Sequence, residues 1–199
     1  MIFKAERSPL LIAVIIFCLY LPFFESFSLG TLWSLNWHSP AVMDSLGDLL
    51  RVVKLILVLT GTLLLAVYNQ TIQNTIRHRV AFGTFVICSW ILVPVQIPML
   101  LLGIMFSGVS MSPADYVHKE KIFDNTTIYA YTADPGAMGR AYHHFYLKCP
   151  RALGRYELIK IAKLNWMGSF EFAVVNDELI VDEENGTSHQ YTLSDFSCD

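Results

Sequence analysis

From Val80 to Phe106 the chain carries no charged side chain. A helix of about 20 apolar residues crosses a hydrocarbon core about 30 Å thick, so this run is long enough to span a bilayer. Inside lipid every backbone polar group must be satisfied within the protein, which leaves a helix as the form for a single run of this kind. Two further apolar stretches precede it. The pattern predicts three transmembrane helices over residues 9–29, 49–68 and 80–106. These belong to a membrane part formed by residues 1–111.

The charges are unevenly placed along the 199 residues. They are sparse before Met111 and frequent from Ser112 onward. Overall 16% of residues are charged, against about 25% in a soluble domain. The shift marks a boundary near Ser110–Pro113. Residues 112–199 are enough for one small core, near the size at which a staple helps. The expected fold class is therefore a membrane protein with three transmembrane α-helices followed by a small extracytoplasmic, mostly-β (α+β) domain. A net charge of -3 argues against a nucleic-acid partner, which favours a basic surface.

A basic start followed by an apolar run also fits a signal peptide, with Ser26-Phe27-Ser28 as a cleavage site. The three-span reading takes the run as an uncleaved anchor. Orientation follows from Lys and Arg in the short loops. Lys4 and Arg7 precede the first span, and Arg77 and Arg79 lie between the second and third. The loop Gly30–Asp48 has neither residue type. The N-terminus is thus expected in the cytoplasm of an inner (plasma) membrane, with the C-terminal domain periplasmic or extracellular. Arg51 and Lys54, at the outer end of span two, oppose this assignment without outweighing it. Trp33 and Trp37 read as interfacial anchors.

Cys18 and Cys88 fall inside spans, where a thiol is a small apolar side chain. Cys149 and Cys198 are the two cysteines of the C-terminal part. One pair in a small domain facing an oxidising compartment predicts a disulfide.

Charged and amide side chains at membrane depth normally face the bundle interior and find partners there. Glu25, Lys54 and Gln96 sit at such depth, and a contact between Glu25 and Lys54 is expected, with Gln96 and Arg51 nearby. The layer reads either as helix glue or as a proton or ion relay; the apolar inner half of each span favours glue.

The C-terminal part reads as short strands. These are Thr126–Thr132, Ala141–Lys148 ended by Cys149-Pro150, Phe170–Val175, Glu178–Asp182 and Ser188–Leu193. Turn signals stand at Asp134-Pro135-Gly136, Asn176-Asp177 and Asn185-Gly186. Arg155–Leu164 fits strand and helix equally, and a helix is expected near Ser112–Glu120. The result is a small antiparallel meander.

His143 and His144 are adjacent, so on a strand they point to opposite faces and cannot share a metal. No ligand set at zinc-like spacing accompanies them. No catalytic residue, metal or cofactor is expected, and the chain is read as a binding protein rather than an enzyme. Tyr129, Tyr131, Arg140, Tyr142, His144 and Tyr146 are the candidates for a partner-binding surface, since Tyr and Arg are enriched at protein interfaces. Besides the lipid bilayer, the expected partner is a protein. By analogy of architecture this points to an immunity or protective protein that blocks an envelope-acting toxin. The alternatives are an accessory subunit of a larger membrane complex and a small transporter or channel subunit.

Overall fold

The computed structural model describes residues 8–27, 30–107, 117–124, 126–134 and 139–198. The chain divides into two compact units. One is Met1–Leu35 with Asp44–Ser110; the other is Asn36–Met43 with Met111–Asp199. Lys4, Arg7, Pro135 and Gly136 of the expected turn, and most of the helix expected near Ser112–Glu120 lie outside the described residues.

The first unit is helical: α1 (Pro9–Ser26), α2 (Pro40–Val67), α3 (Asn69–Thr75) and α4 (Arg79–Ser107). Among these, α1, α2 and α4 are long and apolar enough to cross a membrane. Each start has a local cause. Ser8 Oγ accepts the Leu11 N–H at 3.4 Å and Pro9 supplies a pre-set φ. Ser39 Oγ accepts the Val42 N–H at 3.3 Å ahead of Pro40 in the same way. That cap explains why α2 begins at Pro40 rather than near residue 49. The expected loop over residues 69–79 holds the short helix α3, and Thr75 Oγ1 accepts the Ser8 N–H at 3.1 Å.

Ile15, Leu19, Val58, Leu65, Ile72, Val93 and Leu100 form the interior of the helical unit. Gly61 sets the distance between α1 and α2. A Cβ there would stand 2.9 Å from Cys18 Cβ and from Leu19, so only glycine permits the approach. Small residues at such contacts let helix backbones pack where lipid supplies no hydrophobic drive.

Among the described residues the second unit contains seven strands: β1 (His118–Phe123), β2 (Thr126–Ala133), β3 (Tyr142–Arg151), β4 (Arg155–Asn165), β5 (Phe170–Val175), β6 (Glu178–Glu183) and β7 (Ser188–Thr192). They form two antiparallel sheets, ordered β1-β2-β3-β4 and β5-β6-β7, rather than one meander. The expected helix near Ser112–Glu120 gives way at His118, where β1 begins and pairs with β2. β3 continues through Pro150 to Arg151 instead of ending at Lys148. Its pairing with β2 stops at Leu147, so the missing Pro150 N–H interrupts no β2 ladder. Arg155–Leu164 is strand. A bulge leaves Ile161 unpaired between Ala162, opposite Phe145, and Lys160, opposite Tyr146.

Both sheets contribute to one core. Ile128, Ala130, Phe145, Leu147, Ala162, Phe170, Phe172, Leu179 and Val181 are all buried in it. Phe145 meets Phe170 and Phe172 edge-to-face, with centroids 5.6 and 5.8 Å apart. Lysines link the neighbouring edges of the two sheets. Lys119 Nζ donates to Phe170 O at 3.1 Å and Lys121 Nζ to Phe172 O at 3.3 Å. Carbonyls on an edge strand are thereby satisfied by side chains, which guards the edge against stray pairing. Asn176 and Asp177 take φ of 52° and 60°, the mirror-image turn that matches hairpin twist.

Asn36–Met43, from between α1 and α2, also belongs to this unit. Trp37 bridges Arg155 antiparallel. The Tyr156 N–H donates to Asn36 O at 2.9 Å and the His38 N–H to Gly154 O at 2.8 Å. A short piece of the interhelical connection therefore extends the β4 edge.

Cys149 and Cys198 are disulfide-bonded, 49 residues apart in sequence, which ties the chain end to β3. The joint Cys149→Ser, Cys198→Ser variant should lose about 2–4 kcal/mol of stability in this unit. Denaturant unfolding monitored by tyrosine and tryptophan fluorescence measures it, and wild-type protein under reducing conditions should show the same loss.

Candidate functional site

The strand period of two puts alternate residues of β2 and β3 on the face opposite the core. Tyr129 and Tyr131 from β2 and Tyr142, His144 and Tyr146 from β3 share that face. The register sets Tyr129 against Tyr146 and Tyr131 against His144. The rings form a continuous ladder. Tyr129 and Tyr146 stack at 6.1 Å, His144 and Tyr146 at 6.2 Å, and Tyr142 meets His144 edge-on at 6.5 Å. His118 of β1 extends it, stacked on Tyr129 at 6.0 Å, with its Nδ1 2.6 Å from the Tyr129 hydroxyl. Tyr129 is buried within the ladder, while Tyr131, Tyr142, His144 and Tyr146 are half-buried.

Lysines border the rings. Lys163 Nζ lies 3.6 Å from the centre of the Tyr142 ring and Lys148 Nζ 5.5 Å from that of Tyr156. Lys148 also pairs with Glu120 at 2.7 Å. Lys160 and Lys163 are exposed. Burial holds the His144 imidazole below its ordinary pKa, and the Lys160 and Lys163 charges lower it further. Burial raises the Tyr146 phenol, and raises Tyr156 to about 12 with a contribution from Glu120. At neutral pH the Tyr146 phenol and the His144 imidazole are thus uncharged.

Arg140 lies outside the ladder. It is exposed ahead of β3, in a shallow depression lined also by Asp134, Asn165 and Trp166. Arg151 pairs with Glu157. His118, Lys160 and Lys163 join the face without having been singled out in the sequence. The bulge at Ile161 hides the lysines, because it shifts the parity of β4 midway.

His143 points the other way and is fully buried. The Met167 N–H donates to its Nε2 at 3.2 Å, and its Nδ1 lies 3.0 Å from Thr132 Oγ1. Nε2 is therefore the acceptor and Nδ1 carries the proton, the neutral tautomer. Its pKa is lowered to about 4, first by burial and then by the charges of Lys119 and His144, against a small opposing effect of Glu183. Among the described residues no group of three His, Cys, Asp or Glu could hold a metal ion.

In the helical unit Glu25 is buried in α1 and forms an ion pair with Lys54 of α2. Lys54 Nζ also donates to Ser26 Oγ at 3.2 Å. The other carboxylate oxygen of Glu25 accepts the Leu32 N–H at 2.9 Å. Arg51 pairs with Asp48 one turn away. Gln96 Nε2 donates to Leu19 O at 3.0 Å. Glu25, Arg51, Lys54 and Gln96 line one cavity of about 460 Å³.

The chain matches no family model, and no curated protein or solved structure matches it significantly.

Two expectations follow from these geometries. His143 should stay neutral as pH falls from its ordinary value near 6.5 towards 4, while the unfolded chain takes up a proton. Its contribution to stability is complete above pH 6.5 and is lost through that window, amounting to roughly 3 kcal/mol by pH 4. Nitrogen-resolved NMR should show a protonated Nδ1 and a bare Nε2 at pH 7 and a titration midpoint near 4; a midpoint near 6.5 contradicts it. In the helical unit, Glu25→Gln should cost about 3–5 kcal/mol by leaving the Lys54 ammonium unpaired. The exchange Glu25→Lys with Lys54→Glu should recover part of that loss in detergent thermal melts, exceeding either single reversal.

Proposed function

We propose that this is a membrane-anchored binding protein whose β unit recognises a protein partner through the aromatic ladder. The observation that carries the reading is the run of Tyr129, Tyr131, Tyr142, His144 and Tyr146 on one sheet face with exposed Lys160 and Lys163 at its border. Tyrosine gives large contact area at low entropic cost and keeps a polar tip for hydrogen bonding. The lysine charges steer and select an acidic partner surface. The helices α1, α2 and α4 hold this face at an inner membrane. The N-terminus is cytoplasmic and the β unit extracytoplasmic, in keeping with a disulfide between Cys149 and Cys198.

The specific form we favour is protection. The ladder takes up an acidic surface of a toxin that acts at the envelope, and the spans keep the complex where the toxin would work. The test is affinity capture of the full chain from its native membrane in mild detergent, with mass spectrometry of what is retained. One soluble or secreted partner should be retained by the wild type and weakened at least about tenfold by Tyr146→Ala or by Lys160→Glu with Lys163→Glu. Integral membrane proteins retained undiminished by both variants would make the chain an accessory subunit instead.

A further inference from the structure

We propose that the β unit pairs with a second copy of the chain through β7, whose open edge meets its own equivalent antiparallel about Gln190. The inference concerns the β unit alone and does not rest on the reading of the aromatic face.

A strand edge presents a row of N–H and C=O groups that will pair with any strand brought beside it, and proteins guard such edges. Among the described residues the two sheets have four edge strands, β1, β4, β5 and β7. β1 and β5 are linked to each other by Lys119 and Lys121. β4 is covered at its start by Asn36–His38, is interrupted by the bulge at Ile161, and carries the exposed Lys160 and Lys163. β7 has none of these guards. Its sequence Ser-His-Gln-Tyr-Thr holds no lysine, carboxylate or proline, and its register with β6 runs without a bulge.

The ends of the β6–β7 ladder show which backbone groups are open. The Glu183 N–H donates to Thr187 O at 2.9 Å, and the Leu193 N–H to Asp177 O at 2.8 Å. Hydrogen-bonded residues alternate along an antiparallel pair. His189 and Tyr191 therefore turn their backbone groups towards β6, while Ser188, Gln190 and Thr192 turn theirs away. Those three residues are exposed, and among the described residues nothing pairs with their outward N–H and C=O groups.

Self-complementarity selects the occupant. The register that pairs all five residues of β7 with a second copy puts the two-fold axis at Gln190. Gln190 then exchanges backbone bonds with its equivalent, and Ser188 with the second copy's Thr192, giving about six hydrogen bonds in all. The hydroxyls of Ser188 and Thr192 meet on the outer face, and His189 meets Tyr191 on the core face. Both are pair types that stabilise antiparallel strands. β7 carries no carboxylate or lysine to repel its copy, whereas a copy laid on the open stretch of β4 would bring Lys160 and Lys163 face to face.

The test is the molar mass of the full chain in mild detergent, measured by light scattering with the detergent contribution subtracted. The wild type should be a dimer. Gln190→Lys and Gln190→Glu should each weaken dimerisation at least about tenfold, since each sets like charges against one another across the two-fold axis. Gln190 is exposed and its backbone groups lie outside the β6 ladder, so the far-ultraviolet circular dichroism of both variants should match the wild type. Mixing the two variants should restore the dimer. A monomeric wild type, a dimer that both substitutions leave intact, or a mixture that stays monomeric would overturn the proposal.

Discussion

The Glu25 carboxylate is the interaction on which the helical unit turns. An uncompensated charge among apolar helices is costly, and Glu25 is compensated on both oxygens. One faces Lys54 across the α1–α2 contact. The other accepts the Leu32 N–H. That second bond matters because Leu32, Trp33 and Ser34 take left-handed φ of 50°, 55° and 60°. Each such residue costs about 1–2 kcal/mol unless its surroundings hold it. The same carboxylate thus joins two helices and braces a strained turn. The chain then runs directly into Asn36–His38, which pairs with the start of β4. Gly61 contributes by absence, since the α1–α2 approach that brings the charges together tolerates no side chain there.

The β unit answers a different constraint. Two small sheets must bury enough apolar surface without leaving edges that invite pairing. The phenylalanine cluster supplies the burial, and Lys119 and Lys121 cap the β5 carbonyls. His143 replaces a hydrophobic core position, and it is accommodated because both ring nitrogens have partners. The cost is confined to acid, where the unfolded chain alone gains the proton. On the opposite face the same β3 presents Tyr142, His144 and Tyr146, so the strand period separates a structural histidine from one in the ladder.

Much of this was legible in the residues. The three long helices follow from apolar runs, of which that of α4 is free of charge from Val80 to Phe106, and the hairpin at Asn176-Asp177 from its turn chemistry. The partition of His143 and His144 follows from the period of two. Where reading failed, a local physical cause is visible. β4 fitted helix and strand equally because the bulge at Ile161 switches its parity, so Ile159 and Ala162 both pack on the core although three residues apart. The same switch concealed Lys160 and Lys163 beside the ladder. α2 starts early because Ser39-Pro40 forms a start that hydropathy alone does not register. The division into two sheets depends on contacts between strands distant in sequence, which no local pattern carries. Arg140 was grouped with the tyrosines on residue type, and its loop position separates it from them.

The ladder gives the β unit a surface with aromatic area bordered by exposed lysines. The most direct test of recognition through that surface is site-specific photo-crosslinking in the native membrane. A photoreactive phenylalanine would replace Tyr131 in the ladder or, as a control, Glu171 on β5. Crosslinking of one partner from position 131 and not from position 171 is the expected result. Equal crosslinking from both positions, or from position 171 alone, would contradict recognition through the aromatic face.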